Sequence, residues 1–302
     1  MTADRPVLGI SLMIGFCAIA PLGDAMAKLL GPSIPLVELL LVRFGVQTAL
    51  LLPIIWATGR SLRMTRRVAS LTALRTVFHI VGSATMFAAL WFMPVADVVA
   101  ITFVLPLIML LLGRFVLDEQ VGPRRLAACI IGFLGTMLVI QPSFVTVGWP
   151  ALLPLGVALS FALYQLVSRQ TARDNDPLSL QAVSGMMATA VLGILLVAGS
   201  GSDIAMLDLK VPDAREAWLL AAISGIGTVA HLLMTWSLRY APAATLAPMQ
   251  YLEIPSATLV GWLIFSDLPN ALATLGIAIT IAAGLYIVIR ERADAEPVSA
   301  EG

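Results

Sequence analysis

The sequence predicts an all-α membrane protein: ten transmembrane helices, written as two inverted five-helix repeats around a central cavity. Three observations carry that expectation. Hydrophobic residues make up 59% of the 302 residues and charged residues only 12%, about half the ~25% of a soluble domain, which is too little polar surface to clothe a water-soluble globule. Apolar stretches of bilayer length, about 20 residues each, recur along the whole chain. Two stretches, one per half, also carry the same landmarks in the same order.

On the bilayer ruler the spans fall at residues 7–29, 35–57, 70–92, 96–117, 124–141, 149–169, 178–199, 216–238, 243–265 and 270–290. The first could be mistaken for a signal peptide. It has a single preceding basic residue, Arg5, and no convincing small-residue cleavage site before Leu30, so it reads as a retained span. Most connections are short, which makes consecutive helices antiparallel neighbours. The longest, from Gly199 to Arg215, is rich in Gly and Asp and reads as an aqueous loop.

Basic residues orient the chain. With the N-terminus inside, 14 of the 18 Lys and Arg lie on the inner side, among them Arg60, Arg63, Arg66, Arg67 and Arg75. Only Lys28, Arg43, Lys210 and Arg215 do not. Such a bias puts both termini in the cytoplasm of a cell whose inner membrane holds the protein.

The repeat is read from Trp91 to Asp118 and from Trp236 to Asp267. In each, a helix ends in a short Pro turn, an apolar span with one internal proline follows, and an acid precedes the next loop. Pro94 and Pro242 lie 148 residues apart; Pro106 and Pro255, like Asp118 and Asp267, lie 149 apart. Five spans per unit is an odd number, so the second copy enters the membrane from the opposite side. The first repeat covers 7–141, the second 149–290, and a short polar tail covers 291–302. Inverted repeats of this kind are the architecture of secondary transporters.

Enzyme, metal and nucleic-acid chemistry find little support. There is no GxSxG, HExxH or P-loop, the only histidines are His79 and His231, and the net charge is zero. Cys17 and Cys129 sit in apolar stretches and read as small packing residues, neither a disulfide nor a metal pair. No cofactor is expected.

Polarity inside the spans is the informative signal. Ser224, Thr228, His231 and Thr235 share one helical face of the eighth span, and Thr72, Thr76, His79 and Ser83 one face of the third. Under the repeat offset the two stripes are equivalent, and a polar stripe is costly against lipid, so both should face a shared interior. The plainer reading is hydrogen bonding within the helix bundle; the two histidines favour a cavity wall. Glu253 stands mid-span with Gln250 on the same face and Pro255 two residues on. A charge near the bilayer centre costs at least ~2.5–3.5 kcal/mol, and each proline disturbs the carbonyl four residues earlier, Tyr251 or Thr102. That is the setting of a solute or proton site; a structural acid paired in the core is the alternative. Asp24 and Lys28, at i and i+4, read as a salt bridge closing the outer vestibule. Arg43 lies too deep to be only a snorkelling residue and has Glu38, Asp97 or an anionic solute group as partner. Ser160 and Tyr164 share a face of the sixth span with Gln165 beside them. Trp91 and Trp236 suit either an interfacial belt or lids over a planar solute. Spans five and ten carry Ala128-xxx-Gly132 and Gly276-xxx-Thr280-xxx-Gly284, small-residue stripes for packing within the protein or for a homodimer seam.

Ala27-Lys28, Val42-Arg43-Phe44, Met93-Pro94-Val95-Ala96-Asp97, Pro106 and Asp118-Glu119 resemble the drug/metabolite transporter superfamily, in particular proteins with two EamA-type domains. Ser266-Asp267 departs from that pattern, where Gly-Glu is usual. The resemblance implies a central cavity lined by spans one, three, four, six, eight and nine, with five and ten outside. It implies a transporter of a small organic solute, an amino acid or derivative, a vitamin or a related metabolite, with a broad-specificity exporter or an intramembrane enzyme as the other readings. The residues expected at the cavity are His79, Ser83, Tyr164, His231, Gln250 and Glu253, with Arg43 next.

Overall fold

The computed structural model describes residues 5–140, 148–173, 175–199 and 204–266, with scattered positions between 271 and 286. The tenth expected span, Asp267, Thr280, Gly284 and the polar tail fall largely or wholly outside the described residues. Among those residues the secondary structure is helical throughout, with no strand.

Local chemistry starts and stops the helices. Pro6 opens α1 (Pro6–Leu30), where a missing N–H costs nothing. α2 (Leu36–Ala57) follows a 3₁₀ turn, and α3 (Arg66–Phe92) is capped by the Thr65 hydroxyl, which accepts from the Val68 N–H at 3.3 Å. After α6 (Pro123–Ile140) come α7 (Leu153–Ala172) and α8 (Pro177–Gly199). α9 (Ala214–Tyr240) begins with a reciprocal box. Asp213 accepts from the Glu216 N–H at 2.8 Å, and Glu216 accepts from the Asp213 N–H at 3.0 Å. With their flanking 3₁₀ turns, α1, α2, α3, α7, α8 and α9 are each long and apolar enough to cross a bilayer. The protein is a multi-pass membrane protein.

The fourth and ninth expected spans are each delivered in pieces. The fourth is α4 (Val95–Thr102) and α5 (Leu105–Val116), broken at Phe103-Val104. The ninth is α10 (Ala243–Leu246), a 3₁₀ segment over Ala247–Leu252, and α11 (Glu253–Phe265). Pro106 and Pro255 each sit in the first turn of the helix that restarts, where no N–H is needed, so the break falls just ahead of each proline. Thr102 closes α4 and Tyr251 lies in the 3₁₀ segment, the two positions whose carbonyls those prolines disturb.

Packing pairs recur with the halves exchanged. α1 packs along α9 as α7 packs along α3; α1 meets α11 as α7 meets α4 and α5; α9 meets α2 as α3 meets α8; and α2 packs on α8. Small residues permit the closest approaches. A Cβ on Gly9 would stand 2.5 Å from the Ala241 side chain, and one on Gly132 would stand 2.5 Å from the Tyr251 ring. The Tyr251 hydroxyl donates to the Cys129 carbonyl at 2.8 Å. The Ala128–Gly132 stripe of α6 therefore faces inward onto the broken ninth segment, and Cys129 and Cys17 are both buried packing residues.

Candidate functional site

Where the two interrupted segments face each other, a cavity opens in the middle of the bundle. α1 contributes Phe16 and Asp24, α2 Arg43, α3 Ser83 and Phe87. The α4–α5 break contributes Thr102 and Phe103, α7 Phe161 and Gln165, α9 Gly227 and His231. Gln250 and Glu253 come from the broken segment before and at the start of α11. Interrupted helices supply what a mid-membrane site needs, since non-helical backbone at that depth is tolerated where it is buried in protein or lines a cavity.

Five of the residues expected at the cavity thus line it, Arg43, Ser83, His231, Gln250 and Glu253, and Asp24, expected in a salt bridge with Lys28, lines it with them. His79 and Tyr164 stand directly behind it. His79 Nε2 lies 3.2 Å from His231 Nε2 and 3.4 Å from both terminal nitrogens of Arg43. The His79 and His231 rings are 4.2 Å apart between centroids, and His79 and Tyr164 are 4.6 Å apart. A guanidinium has only donors, so the Arg43 contacts call for His79 Nε2 as acceptor. Both Nδ1 atoms are buried without a hydrogen-bond partner among the described residues. Gly227 makes room for Arg43: a Cβ there would come within 3.2 Å of the guanidinium.

The two polar stripes are buried, as their sequence position requires. Most of their hydroxyls turn back to their own helix. Thr76 donates to the Thr72 carbonyl at 2.7 Å, and Ser224, Thr228 and Thr235 donate one turn back at 2.6–2.7 Å. The Asp24–Lys28 spacing places the two residues in different surroundings. Asp24 lines the cavity, while Lys28 Nζ donates to the Met93 carbonyl at 3.1 Å and lies over the Phe265 ring. Glu38 accepts the Lys210 backbone N–H at 2.9 Å, away from Arg43. Trp91 packs against the main core and Trp236 against a small cluster with Leu51 and Ile55; neither belongs to the cavity wall.

One residue was hidden among the inner-side arginines. Arg75 has no exposed surface and spends its donors on five neutral acceptors: Ser168, Ser184, Tyr164, Gln181 and Thr235, at 2.7–3.2 Å. It ties α3 to α7, α8 and α9 one turn from His79. The signal was available, since Arg75 stands at i−4 from His79 on the polar face of α3. A second tie closes the same end of the bundle. Glu119 accepts the Ala243 and Ala244 N–H groups at 3.1 and 2.9 Å and pairs with Arg169 at 3.3 Å. Arg169 also donates to the Leu238 carbonyl at 2.8 Å.

Comparison with known proteins gives this geometry its context. A riboflavin transporter of Brucella anthropi is 28% identical over 257 residues, covering 85% of this chain and 89% of the relative. A riboflavin transporter of Rhizobium johnstonii is 30% identical over 217 residues, covering 72% and 69%. An S-adenosylmethionine uptake transporter of Rickettsia prowazekii is 24% identical over 271 residues, covering 90% and 89%. A solved crystal structure shares the fold, with a TM-score of 0.70 at 19% identity over 96% of this chain and 98% of that one. The EamA-like transporter family matches residues 7–141 and again 148–290. With both matches together spanning nearly the whole chain, this protein belongs to the EamA-like transporter family.

Proposed function

We propose that this protein is a secondary transporter that carries a small organic solute across a bacterial inner membrane by alternating access. Its ten spans form two inverted repeats, and both termini lie in the cytoplasm. The observation that carries the reading is the cavity itself: Arg43, His231, Gln250 and Glu253 converge between two interrupted helices in the middle of an apolar bundle. The exchange symmetry of the helix contacts supports the inverted repeat, since a unit taken in two orientations reproduces each pairing with its partner's counterpart. The Arg75 and Glu119–Arg169 ties stand toward the arginine-rich end, which is the cytoplasmic end in this reading. The relatives named for riboflavin and for S-adenosylmethionine support a solute of vitamin or amino-acid-derivative class. Glu253 is the proposed proton carrier.

The test is uptake of radiolabelled riboflavin and S-adenosylmethionine by sealed vesicles holding the purified protein, with and without an imposed pH gradient. Saturable uptake of one of them is expected. In E253Q the gradient-driven accumulation should fall to the equilibration level while exchange of solute persists. Normal accumulation by E253Q across a range of pH would remove the proton-carrier role.

A further inference from the structure

Gln165 and Gln250 face the cavity from α7 and from the 3₁₀ segment, each at most 3% exposed. Their carboxamides are joined in both directions: Gln165 Nε2 donates to Gln250 Oε1 at 2.9 Å, and Gln250 Nε2 donates to Gln165 Oε1 at 3.0 Å. This is a closed amide dimer, in which each side chain offers a donor and an acceptor side by side. It uses one N–H and one lone pair of each amide and leaves the second N–H and the second lone pair of each for another partner.

We propose that this pair is the cavity's reader for a planar nitrogen heterocycle whose edge carries an N–H donor beside an acceptor, as a lactam or an aminopyrimidine ring does. Such an edge has the same two-point pattern as a carboxamide. It can dock on the second N–H and second lone pair that the closed dimer leaves open, so the pair keeps its own bonds while the solute's edge is met at a depth where water does not compensate. Glutamine reads the adenine edge in nucleic acids by the same bidentate pattern. The walls suit a flat ring: Phe16, Phe87, Phe103 and Phe161 line the cavity with His231, and Phe161 and His231 lie nearly parallel, 21° apart in plane at 6.0 Å. Stacking holds any heterocycle; the amide pair selects by edge. The proposal rests on the transport reading only for this cavity being the solute's route.

The test is direct binding to the purified wild-type protein and to the double variant Q165M/Q250M, followed by flavin fluorescence quenching and by calorimetry for adenosine. Removing both amides together keeps side-chain volume and strands no partner. The probes are riboflavin against its ring N3-methyl derivative and adenosine against N6,N6-dimethyladenosine. In each pair only the methylated member lacks the edge donor. Wild type should prefer the parent of at least one pair by about tenfold or more. The double variant should bind that parent no better than its methylated form, whose own affinity stays unchanged. Equal affinity of the wild type for both members of each pair overturns the proposal, as does undiminished discrimination in the double variant. Absence of binding by every heterocycle, in vesicles that still carry another solute, overturns it too and leaves transport standing. Edge-selective binding without saturable flux removes the transport reading and keeps this one.

Discussion

Among the described residues, Arg75 heads the fully buried side chains by size, and its five hydrogen-bond partners there are all neutral dipoles. Hydroxyls of Ser168, Ser184, Tyr164 and Thr235 and the Gln181 carbonyl accept its hydrogens, so the residue gathers four helices around one planar fork. Deleting the fork would strand several of those groups in an apolar interior. Breaking a buried charged cluster by removing one partner costs about 3–5 kcal/mol, and R75L is expected to fall near the lower end because its partners are neutral. Thermal unfolding in detergent measures it. R75K should recover only part of the loss, since three donors on a point charge cannot span five acceptors. An R75L protein as stable as wild type would show that these contacts are incidental. Behind the cavity, His79 stands within 3.4 Å of Arg43 and 3.2 Å of His231, both of which line it.

At the level of helices, the prolines and glycines decide the architecture. Pro106 and Pro255 sit where an α-helix restarts, ahead of which lie short stretches outside the α-helices that face the cavity, the second a 3₁₀ segment that carries Gln250. Gly132 lets α6 lie against the Tyr251 ring, which in turn holds the 3₁₀ segment through its bond to the Cys129 carbonyl. Overpacking a close contact costs about 1–3 kcal/mol. G132V should be destabilised in that range, and pairing it with Y251L should restore most of the loss by vacating the clashing ring. Failure of the pair to rescue would place the strain elsewhere in α6. Glu119 acts on the same segment from the other end, since its carboxylate satisfies the first N–H groups of α10 and holds Arg169.

For the whole molecule, the proposed orientation rests on the distribution of charge along the chain. The arginine-rich loops gather at one end of the bundle, where Arg60 pairs with Asp176 and Arg239 donates to the Asn175 carbonyl. The opposite end holds Lys28 and the Lys210–Glu216 pair. In a protein with Cys17 and Cys129 replaced, a single R63C is expected to react with a membrane-impermeant maleimide only after cells are opened. A single L209C is expected to react in intact cells. Reversed labelling would invert the orientation.

The legible part of this protein was written in composition and spacing. Apolar length and the paired prolines determined the membrane class, the order of the described helices and which two carbonyls, those of Thr102 and Tyr251, would be disturbed. The polar face Thr72–His79–Ser83 and its counterpart Thr228–His231 pointed inward because lipid cannot satisfy them. Other features depended on distance between segments far apart in the chain, which periodicity does not encode. Arg75 looked like one more inner-side arginine until α7, α8 and α9 brought five acceptors around it. Lys28 sits one helical turn from Asp24 in α1, and its Nζ reaches the Met93 carbonyl, 65 residues away. The closure of Gln165 upon Gln250, 85 residues away, is likewise a product of packing. A sequence states which groups must be buried, and only the assembled bundle decides which of them meet.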